Sequence, residues 1–221
     1  MRLSNNTIAI LKNYAEINSN LVINPGNVLK TIHTPPTIYA CATVEEVFDN
    51  TFGIYDLKEF LATLAMFKNP DLKFNDQYVE IVDLDDNTIN TKYWSADTSI
   101  LTNVPQLKEF PQPQATFDIS ATNFKRIQRA ALTLNCNDVV LEGNQDGIFV
   151  VICDLQINTK NKNKCTIKVS DTNNFGDFNV HLKQDKLMII DGNYRCDIIA
   201  NQLIKLTHST KKVEYVITLD V

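Results

Sequence analysis

The sequence is first informative through what it contains little of. Its 221 residues include three histidines, six glycines and one tryptophan. The five cysteines are odd in number and widely separated, at Cys41, Cys136, Cys153, Cys165 and Cys196. None of them forms a C-x-x-C pair, which argues against a zinc ribbon or a dithiol redox motif. The histidines are equally scattered, so we expect no metal site.

Long apolar runs are also missing. No stretch of about 18 apolar residues occurs, so the sequence predicts no transmembrane helix. The opening segment, MRLSNNTIAILKNYAE, carries polar residues throughout and does not resemble a secretion signal. The apolar content of 44% and the charged content of 21% are those of an ordinary globular protein. We therefore expect a protein that stays in a cytoplasm.

Signatures of catalysis are absent from the sequence as well. There is no P-loop, no nucleophile elbow and no H-E-x-x-H motif. The acidic run DLDDN, from Asp83 to Asn87, offers clustered oxygens that suit a metal-dependent hydrolase or a calcium loop. An EF-hand would need a glycine within the loop and a glutamate at position 94, which is Trp94. A polar hairpin turn explains the run better, and we expect no enzymatic activity and no cofactor.

What the sequence does contain is a repeated order of helices and strands. Four segments are predicted as helices, from apolar residues at helical spacing and from N-capping side chains. They cover residues 4–17, 56–68, 120–132 and 183–190, and Ser4, Asp56 and Ser120 are the predicted N-caps of the first three. Short apolar runs typical of strands lie between them, and Pro25 with Gly26 suits a tight reversal. The runs are NLVI, VLKTI, QYVEIVDL, TINTKYW, DVVLEGNQDGIFVVICDL, GNYRCDII, QLIKLTH and VEYVITLDV.

The two halves of the chain follow the same plan. Ser4 corresponds to Ser120, and Gly26 corresponds to Gly143. A repeated architecture explains the length better than two unrelated domains would. Between the halves lies VPQLKEFPQPQ, whose three prolines favour an extended connector. We therefore predict a first domain at residues 1–104, a connector at 105–114 and a second domain at 115–221.

Positive charge is concentrated in the predicted helices, although the whole chain has a net charge of -5. The four helices hold eight Lys or Arg residues against four acids. On the third helix Lys125 and Arg129 lie one turn apart with Arg126 beside them, above an apolar underside. One interpretation is an ordinary solvated helix face. The other is a surface that holds phosphates through sequence-independent, salt-sensitive contacts.

Several segments resemble the DNA polymerase sliding clamps of T-even-type bacteriophages, the processivity subunits of the viral replisome. These segments are LSNNTIAILKNYAEINS, IYDLKEFLATLAMF, YWSADTS, FPQPQATFDI, DGNYRCDIIA and YVITLDV. The similarity spans the whole chain and is weak in residues 160–177. None of the segments is a catalytic signature, so the specificity of the resemblance lies in their combined order and spacing.

The resemblance implies an α+β fold of two similar clamp domains, with antiparallel sheets outside and two helices per domain on the inner face, as in proliferating-cell nuclear antigen. It implies a ring of three identical subunits around double-stranded DNA in the cytoplasm of the infected bacterial host. It also implies an ATP-driven clamp loader, a replicative DNA polymerase tethered through its C-terminal peptide, and support of late viral transcription.

Together, the charge pattern and the resemblance indicate which residues face DNA. A ring needs a wall that attracts phosphate enough to centre the duplex and weakly enough to let it slide. The basic residues of the four predicted helices suit that wall because Lys and Arg contacts to phosphate are interchangeable along the backbone. They are Lys12, Lys58, Lys68, Lys125, Arg126, Arg129, Lys183 and Lys186.

Charge also suggests how a ring would close. Residues 1–110 carry a net charge of -6 and residues 111–221 carry +1, so a head-to-tail contact between unlike domains is complementary. We expect the edge NTINTKYW of one subunit to pair with KNKCTIKVS of the next, which removes exposed strand edges. The interface residues would be Ile89, Thr91, Tyr93, Lys164, Thr166 and Lys168. Edge protection or a basic loop at Lys160, Lys162 and Lys164 is an equally good interpretation.

A third surface would bind partners. A proline-rich connector beside an apolar groove can accept the hydrophobic anchors of an amphipathic peptide. The candidates are Leu107, Phe110, Pro111 and Pro113, whose other role would be to pin the connector to the sheets. The alternative to a clamp is a viral DNA-binding accessory that forms no ring, or a β-rich structural adaptor protein.

Overall fold

The computed structural model describes residues 1–86, 88–155 and 163–220. The chain forms two compact units, Met1–Gln106 and Leu107–Val221. The border between the units falls inside the proline-rich segment, and the predicted limits of the connector stay a prediction. Within the described residues no helix is both long and apolar enough to cross a membrane.

The first unit contains two α-helices and seven strands in its described part. The helices are α1 (Asn5–Ile17) and α2 (Leu57–Leu64). The strands are β1 (Leu21–Ile23), β2 (Gly26–Ile32), β3 (Ile38–Phe48), β4 (Phe52–Ile54), β5 (Pro70–Phe74), β6 (Tyr78–Asp83) and β7 (Asn90–Trp94). Within the unit β1 pairs with β4, β2 pairs with β3, and β5, β6 and β7 form a meander, all antiparallel.

Both helices of the first unit begin where the capping residues predict. The Ser4 hydroxyl accepts a hydrogen bond from the Thr7 N–H, and the Asp56 carboxylate accepts from the N–H groups of Lys58 and Glu59. The apolar sides are buried: Ile10, Leu11 and Tyr14 on α1, and Leu57, Phe60 and Leu64 on α2. The spacing of apolar residues therefore correctly predicts which side of each helix packs on the unit.

Helix α2 ends at Leu64, before the predicted end at residue 68. After Leu64 the chain tightens, because the N–H groups of Met66 and Phe67 donate to the carbonyls three residues earlier. The N–H groups of Lys68 and Asn69 then donate to the Asp83 carboxylate at the end of β6. A side chain 15 residues away in the sequence thus accepts from the N–H groups that a continuing helix would use.

The reversal at Pro25 and Gly26 is present, but the strands on either side are not ladder partners. Strand β1 pairs with β4 and β2 pairs with β3. Gly26 opens β2 at φ +111°, a conformation that L side chains rarely adopt. In the second unit, Gly147 likewise begins a strand with a positive φ, of +127°. The predicted correspondence of Gly26 with Gly143 is therefore wrong at the level of local structure.

The second unit contains one α-helix and eight strands in its described part. The helix is α3 (Ala121–Leu134). The strands are β8 (Ala115–Ile119), β9 (Asp138–Asn144), β10 (Gly147–Cys153), β11 (Cys165–Ser170), β12 (Phe178–Lys183), β13 (Tyr194–Ile199), β14 (Leu203–His208) and β15 (Val213–Thr218). They form two antiparallel arrays, in the orders β8-β13-β14-β15 and β11-β10-β9-β12.

Helix α3 begins at a side-chain N-cap and ends at a residue in the left-handed conformation. The Ser120 hydroxyl accepts from the Asn123 N–H, as the sequence predicts, and Asn135 ends the helix at φ 51°. Phe124, Ile127 and Ala131 are buried. Phe124 and Ile127 line an apolar core with residues of both arrays, including Leu141 of β9 and Leu206 of β14. The apolar underside of α3 therefore closes the core of the second unit.

The predicted fourth helix over residues 183–190 is wrong. Strand β12 continues to Lys183, paired with Asp138 of β9, and only Gln184–Leu187 follows as one 3₁₀ turn. No side chain caps this turn. Pairing with β9 stabilises an extended β12 more than the local pattern stabilises a helix. Each paired residue of β12 has its backbone N–H and C=O groups hydrogen-bonded or available to β9, whereas most backbone groups of a very short helix have no partner within it. The second unit thus presents one α-helix in its described residues where two were expected.

Candidate functional site

The basic surface of the first unit lies on the exposed sides of α1 and α2. Lys12 and Glu16 are exposed one turn apart on α1, and Lys58 is exposed on α2. The Lys58 ammonium lies 3.1 Å from a Glu16 carboxylate oxygen, and the two side chains are exposed to 62% and 59%. We call these three residues the α1/α2 surface. It presents two cations with one carboxylate among them.

Lys68 is exposed but does not belong to a helix. It lies in the turn after α2, where its N–H donates to Asp83 at 2.6 Å. Asp83 also accepts from the N–H groups of Asp85 and Asn69. The hydrogen bond from Asp85, followed by those from Asn69 and Lys68, holds the Asp83 pKa below its ordinary value despite the opposing effect of burial. The acidic run therefore acts as a turn that positions Lys68, and its Asn87 lies outside the described residues.

No cluster of His, Cys, Asp or Glu in the described ranges could hold a metal ion. Each acid at the start of the DLDDN run makes local turn contacts instead: the Asp85 N–H donates to Asp83, and Asp86 accepts from the N–H and hydroxyl of Thr88. The interpretation of this run as a polar turn fits these contacts. The calcium-loop and hydrolase interpretations find no support in them.

The basic surface of the second unit lies on α3. Lys125, Arg126 and Arg129 are exposed, while Phe124 and Ile127 on the opposite side are buried. Arg126 donates to the Asn123 side-chain oxygen at 3.3 Å. The Lys125 ammonium lies 3.5 Å from an Asp191 carboxylate oxygen, and the two side chains are exposed to 65% and 53%. We call the three cations the α3 stripe, and it has the arrangement that the sequence predicts.

The loop that carries Asp191 is fixed against both α3 and β14. The Asn193 side-chain oxygen accepts from the Ala121 N–H at 2.7 Å, and the Asp191 carbonyl faces Nε2 of His208 at 3.4 Å. His208 is buried, and its Nδ1 accepts from the N–H groups of Thr210 and Lys211. Burial lowers the pKa of His208 and so favours the neutral ring, and acceptance at Nδ1 places the proton of that neutral ring on Nε2. The loop is therefore held in place beside the α3 stripe.

Two residues predicted to face DNA, Lys183 and Lys186, pair instead with carboxylates of their own unit. Lys186 is 8% exposed, and its ammonium lies 2.8 Å from Asp220 and 3.0 Å from the Thr218 carbonyl. The Lys183 ammonium lies 2.6 Å from the fully buried Asp138 carboxylate. The physical reason is that strand β12 and the 3₁₀ turn direct both side chains toward carboxylates of their own unit.

Lys183 and Asp138 each shift the pKa of the other. Burial alone would raise the pKa of Asp138, but hydrogen bonds from Lys183 and from the Leu155 N–H, with the charge of Lys183, lower it overall. The hydrogen bond to Asp138 raises the pKa of Lys183 in return. Both groups therefore stay ionised and hold β9, β12 and the chain at Leu155 together.

The two strands predicted to close a ring are both edge strands in the described part of their units. Strand β7 is paired only to β6, and β11 is paired only to β10. Thr166 and Lys168 on β11, and Lys164 just before it, are all exposed. On β7, Tyr93 instead packs edge-on to Phe60 and donates to the Asp56 carbonyl. The Tyr93 side chain is thus committed to its own unit, and Ile89 and Thr91 are half-buried.

The outward side of β7 was missed by the sequence interpretation. Trp94 is 62% exposed and packs against Tyr78, whose ring also lies 4.6 Å from the Lys92 ammonium. Alternation along a strand could have revealed that residues 90, 92 and 94 point away from residues 91 and 93. Lys160 and Lys162, part of the basic-loop interpretation, lie outside the described residues.

The connector residues show mixed exposure. Leu107, Phe110 and Pro113 are half-buried, and Pro111 is exposed. The Gln114 N–H donates to the Ile198 carbonyl, which fixes the end of the segment to β13. A cleft of about 590 Å³ lies in the first unit near the start of the segment, and none of the four predicted groove residues lines it. Its lining includes Val22, Val28, Leu101, Val104 and Gln106.

Comparison with known proteins places these features in a family. Residues 4–107 match the family model described as DNA polymerase processivity factor, and residues 116–221 match the one described as gp45 sliding clamp, C terminal. The sliding clamp of Vibrio phage KVP40 is 27% identical over 201 residues, which cover 90% of each chain. The sliding clamp of Escherichia phage RB69 is 27% identical over 227 residues, covering 100% of this chain and 97% of that one.

The fold is also that of solved clamp structures. In the complex titled C-terminal region of FEN-1 bound to A. fulgidus PCNA, the superposition has a TM-score of 0.73 and covers 97% of this chain and 94% of that one. At 12% identity this likeness shows the fold alone. The fold is thus PCNA-like, with two similar domains of mainly antiparallel sheets and three α-helices in the described residues. The two family matches together cover nearly the whole chain, and the protein belongs to the sliding-clamp family of DNA polymerase processivity factors.

Proposed function

We propose that three copies of this protein encircle double-stranded DNA and tether the replicative DNA polymerase during viral DNA replication in the cytoplasm of the infected bacterium. The observation that carries the proposal is the α3 stripe, in which Lys125, Arg126 and Arg129 are exposed above a buried apolar underside. The α1/α2 surface of the first unit offers Lys12 and Lys58 in a similar setting, and Lys68 adds a further exposed cation.

Interactions of this kind suit sliding. Flexible ammonium and guanidinium groups bind phosphates without reading base sequence, so a side chain that leaves one phosphate can bind the next along the backbone. A closed ring does not depend on tight binding for retention, because its topology prevents dissociation. Five helix-borne cations and Lys68 therefore form the proposed DNA-facing set: Lys12, Lys58, Lys68, Lys125, Arg126 and Arg129.

Ring closure is proposed to use the free edges of β7 and β11. Pairing β7 of one subunit with β11 of the next would extend both sheets and remove two exposed edges. The exposed Thr166 and Lys168 on β11, with Lys164 just before it, then face a domain that carries the negative charge of residues 1–110. In the first unit the proposed interface residues are Ile89, just before β7, and Thr91 and Tyr93 on the strand.

The partners follow from this role. The C-terminal peptide of the polymerase is proposed to dock at Leu107, Phe110, Pro111 and Pro113, where half-buried apolar side chains and an exposed proline are available. Ring opening is assigned to an ATP-driven clamp loader, since the chain contains no P-loop of its own. Support of late viral transcription is proposed as a second use of the loaded clamp.

Retention on circular DNA tests the proposal. The clamp is loaded onto a nicked circular duplex by the loader and ATP, separated from free protein, and incubated before and after the circle is cut once. A ring stays on the circle and slides off the cut DNA, and light scattering of the purified protein gives the mass of three chains. Equal dissociation from both DNA forms, according to salt, would instead identify a DNA-binding accessory protein that forms no ring.

A further inference from the structure

Each basic surface contains one carboxylate that pairs with one of its cations. In the first unit a Glu16 oxygen lies 3.1 Å from the Lys58 ammonium, and in the second an Asp191 oxygen lies 3.5 Å from the Lys125 ammonium. All four side chains are more than half exposed, between 53% and 65%. Water and mobile ions therefore reach both pairs, and another anion can replace either carboxylate.

The two pairs are built differently. Glu16 lies on α1 and reaches across to Lys58 on α2, whereas Asp191 lies in the loop before β13 and reaches Lys125 on α3. The second pair depends on a fixed loop, in which Asn193 accepts from the Ala121 N–H and His208 faces the Asp191 carbonyl. The same arrangement thus arises from unrelated positions in the two units, so the repeated architecture alone does not account for it.

The remaining cations of the two surfaces lack such carboxylates. Within residues 1–86, 88–155 and 163–220, no Asp or Glu forms an ion pair with Lys12, Arg126 or Arg129. Each surface therefore combines cations that attract phosphate directly with one lysine that already has an anionic partner. Because exposed ion pairs are weak, a DNA phosphate can displace that partner.

We propose that Glu16 and Asp191 compete with DNA phosphates for Lys58 and Lys125 and so keep the clamp's hold on DNA weak. The inference rests on the proposed DNA-facing role of these lysines. A phosphate that binds Lys125 frees the Asp191 carboxylate, which must then be hydrated and screened by a cation, so the net binding free energy is small. When the duplex moves on, the carboxylate pairs with the lysine again, and neither lysine is without an anion between phosphates.

The test removes each carboxylate with an isosteric amide. Glu16→Gln and Asp191→Asn are made singly and together, and binding to a short linear duplex is followed by fluorescence anisotropy across a salt series. Glu45→Gln and Asp118→Asn are the matched controls, because they remove the same charge from exposed positions on β3 and β8. Asp118 follows the buried Phe117 on its strand and precedes the buried Ile119, which lines the core under α3, so it points away from that core.

We expect each amide variant to bind duplex about two- to fivefold more tightly than its control, the range set by the strength of an exposed ion pair. The slope of the logarithm of the DNA-binding constant against the logarithm of the salt concentration should also steepen by about 0.9 per lysine. The reason is that phosphate binding to that lysine no longer displaces a carboxylate that must take up a cation. In the Lys125→Ala background, Asp191→Asn should have only the effect of Asp118→Asn. A full effect of Asp191→Asn without Lys125 would mean general repulsion and would overturn the inference.

The lysines separate failure of the inference from failure of the proposed function. If Lys58→Ala and Lys125→Ala leave duplex binding and its salt slope unchanged, these two lysines do not face DNA, and the competition fails together with their proposed DNA-facing role, whereas retention on circular DNA tests the ring separately. If the alanine variants weaken binding but the amide variants match their controls, only the competition fails. A loss of thermal stability in the amide variants, with control-like DNA binding, would show that the pairs serve folding alone.

Discussion

The Lys186 ammonium lies 2.8 Å from an Asp220 carboxylate oxygen and 3.0 Å from the Thr218 carbonyl, and the lysine is 8% exposed. The second Asp220 oxygen accepts from the Lys183 N–H at 2.9 Å. One carboxylate therefore joins the segment after β15 to the end of β12 and to the 3₁₀ turn. The sequence alone assigns Lys186 to the DNA-facing set, but in the fold it forms an ion pair within its own unit.

Replacing Lys186 should destabilise the fold without changing DNA binding. Lys186→Ala removes the ammonium that pairs with Asp220 and donates to the Thr218 carbonyl, at a cost of about 1–3 kcal/mol in the free energy of unfolding. Urea unfolding measures this cost, with exposed Lys212→Ala as the control. Normal stability of Lys186→Ala together with a shallower salt slope for duplex binding would return Lys186 to the DNA-facing set.

The α3 stripe should be needed for processive synthesis and not for folding. Reversal of Lys125, Arg126 and Arg129 to Glu changes only exposed side chains, so the mass of the assembly should be unchanged while loader-dependent primer extension shortens. The single variant Arg129→Ala should make the salt slope of duplex binding shallower by about 0.9 for each Arg129 that binds a phosphate. Full-length products from the triple variant would contradict the role of the stripe.

Stability should depend on pH through His208. Burial lowers the pKa of His208 in the folded state below the ordinary value of 6.5. As the pH falls below 6.5, the unfolded chain therefore binds more protons at this residue than the folded chain does. The contribution of the neutral ring to the free energy of unfolding is fully present above pH 6.5. It is lost as the pH falls from 6.5 through the lower pKa of the folded state. Protonation would also place a hydrogen on Nδ1 opposite the N–H groups of Thr210 and Lys211.

His208→Gln isolates this effect. The variant should be less stable than the native protein at about pH 7, because the ring no longer accepts those two bonds. The stability difference between the two proteins should shrink as the pH is lowered from about 7 toward about 5, measured by urea unfolding at each pH. A difference that is constant over this range would show that His208 does not titrate with unfolding.

The β11 edge should control assembly. Lys164→Glu places a negative charge opposite the acidic first domain of the proposed neighbour, so the trimer should dissociate at a higher protein concentration than the native ring does. Lys212→Glu makes the same charge change away from β11 and serves as the control. Light scattering over a dilution series measures both, and equal dissociation of the two variants would remove Lys164 from the interface.

The capped helices are predictable because their signals are local. Ser4, Asp56 and Ser120 each stand next to the N–H groups that they satisfy, and the apolar residues that follow define one buried side. The family assignment is predictable from sequence for a related reason, since it depends on the order of many such segments. The turn after α2 is not, because the acceptor for the Lys68 N–H is the Asp83 carboxylate, 15 residues away.

The sequence by itself determined the three capped helices and the exposed cations of the α3 stripe, because each depends on residues within a turn or two of one another. Only the tertiary structure decided the destinations of long side chains. Lys186 and Lys125 both lie in segments that the sequence predicts as helices. In the fold, Lys186 follows strand β12 and is buried against Asp220, whereas Lys125 is exposed on α3 beside Asp191. A flexible ammonium binds whichever carboxylate the packed chain brings near, and that neighbour can be 34 or 66 residues away.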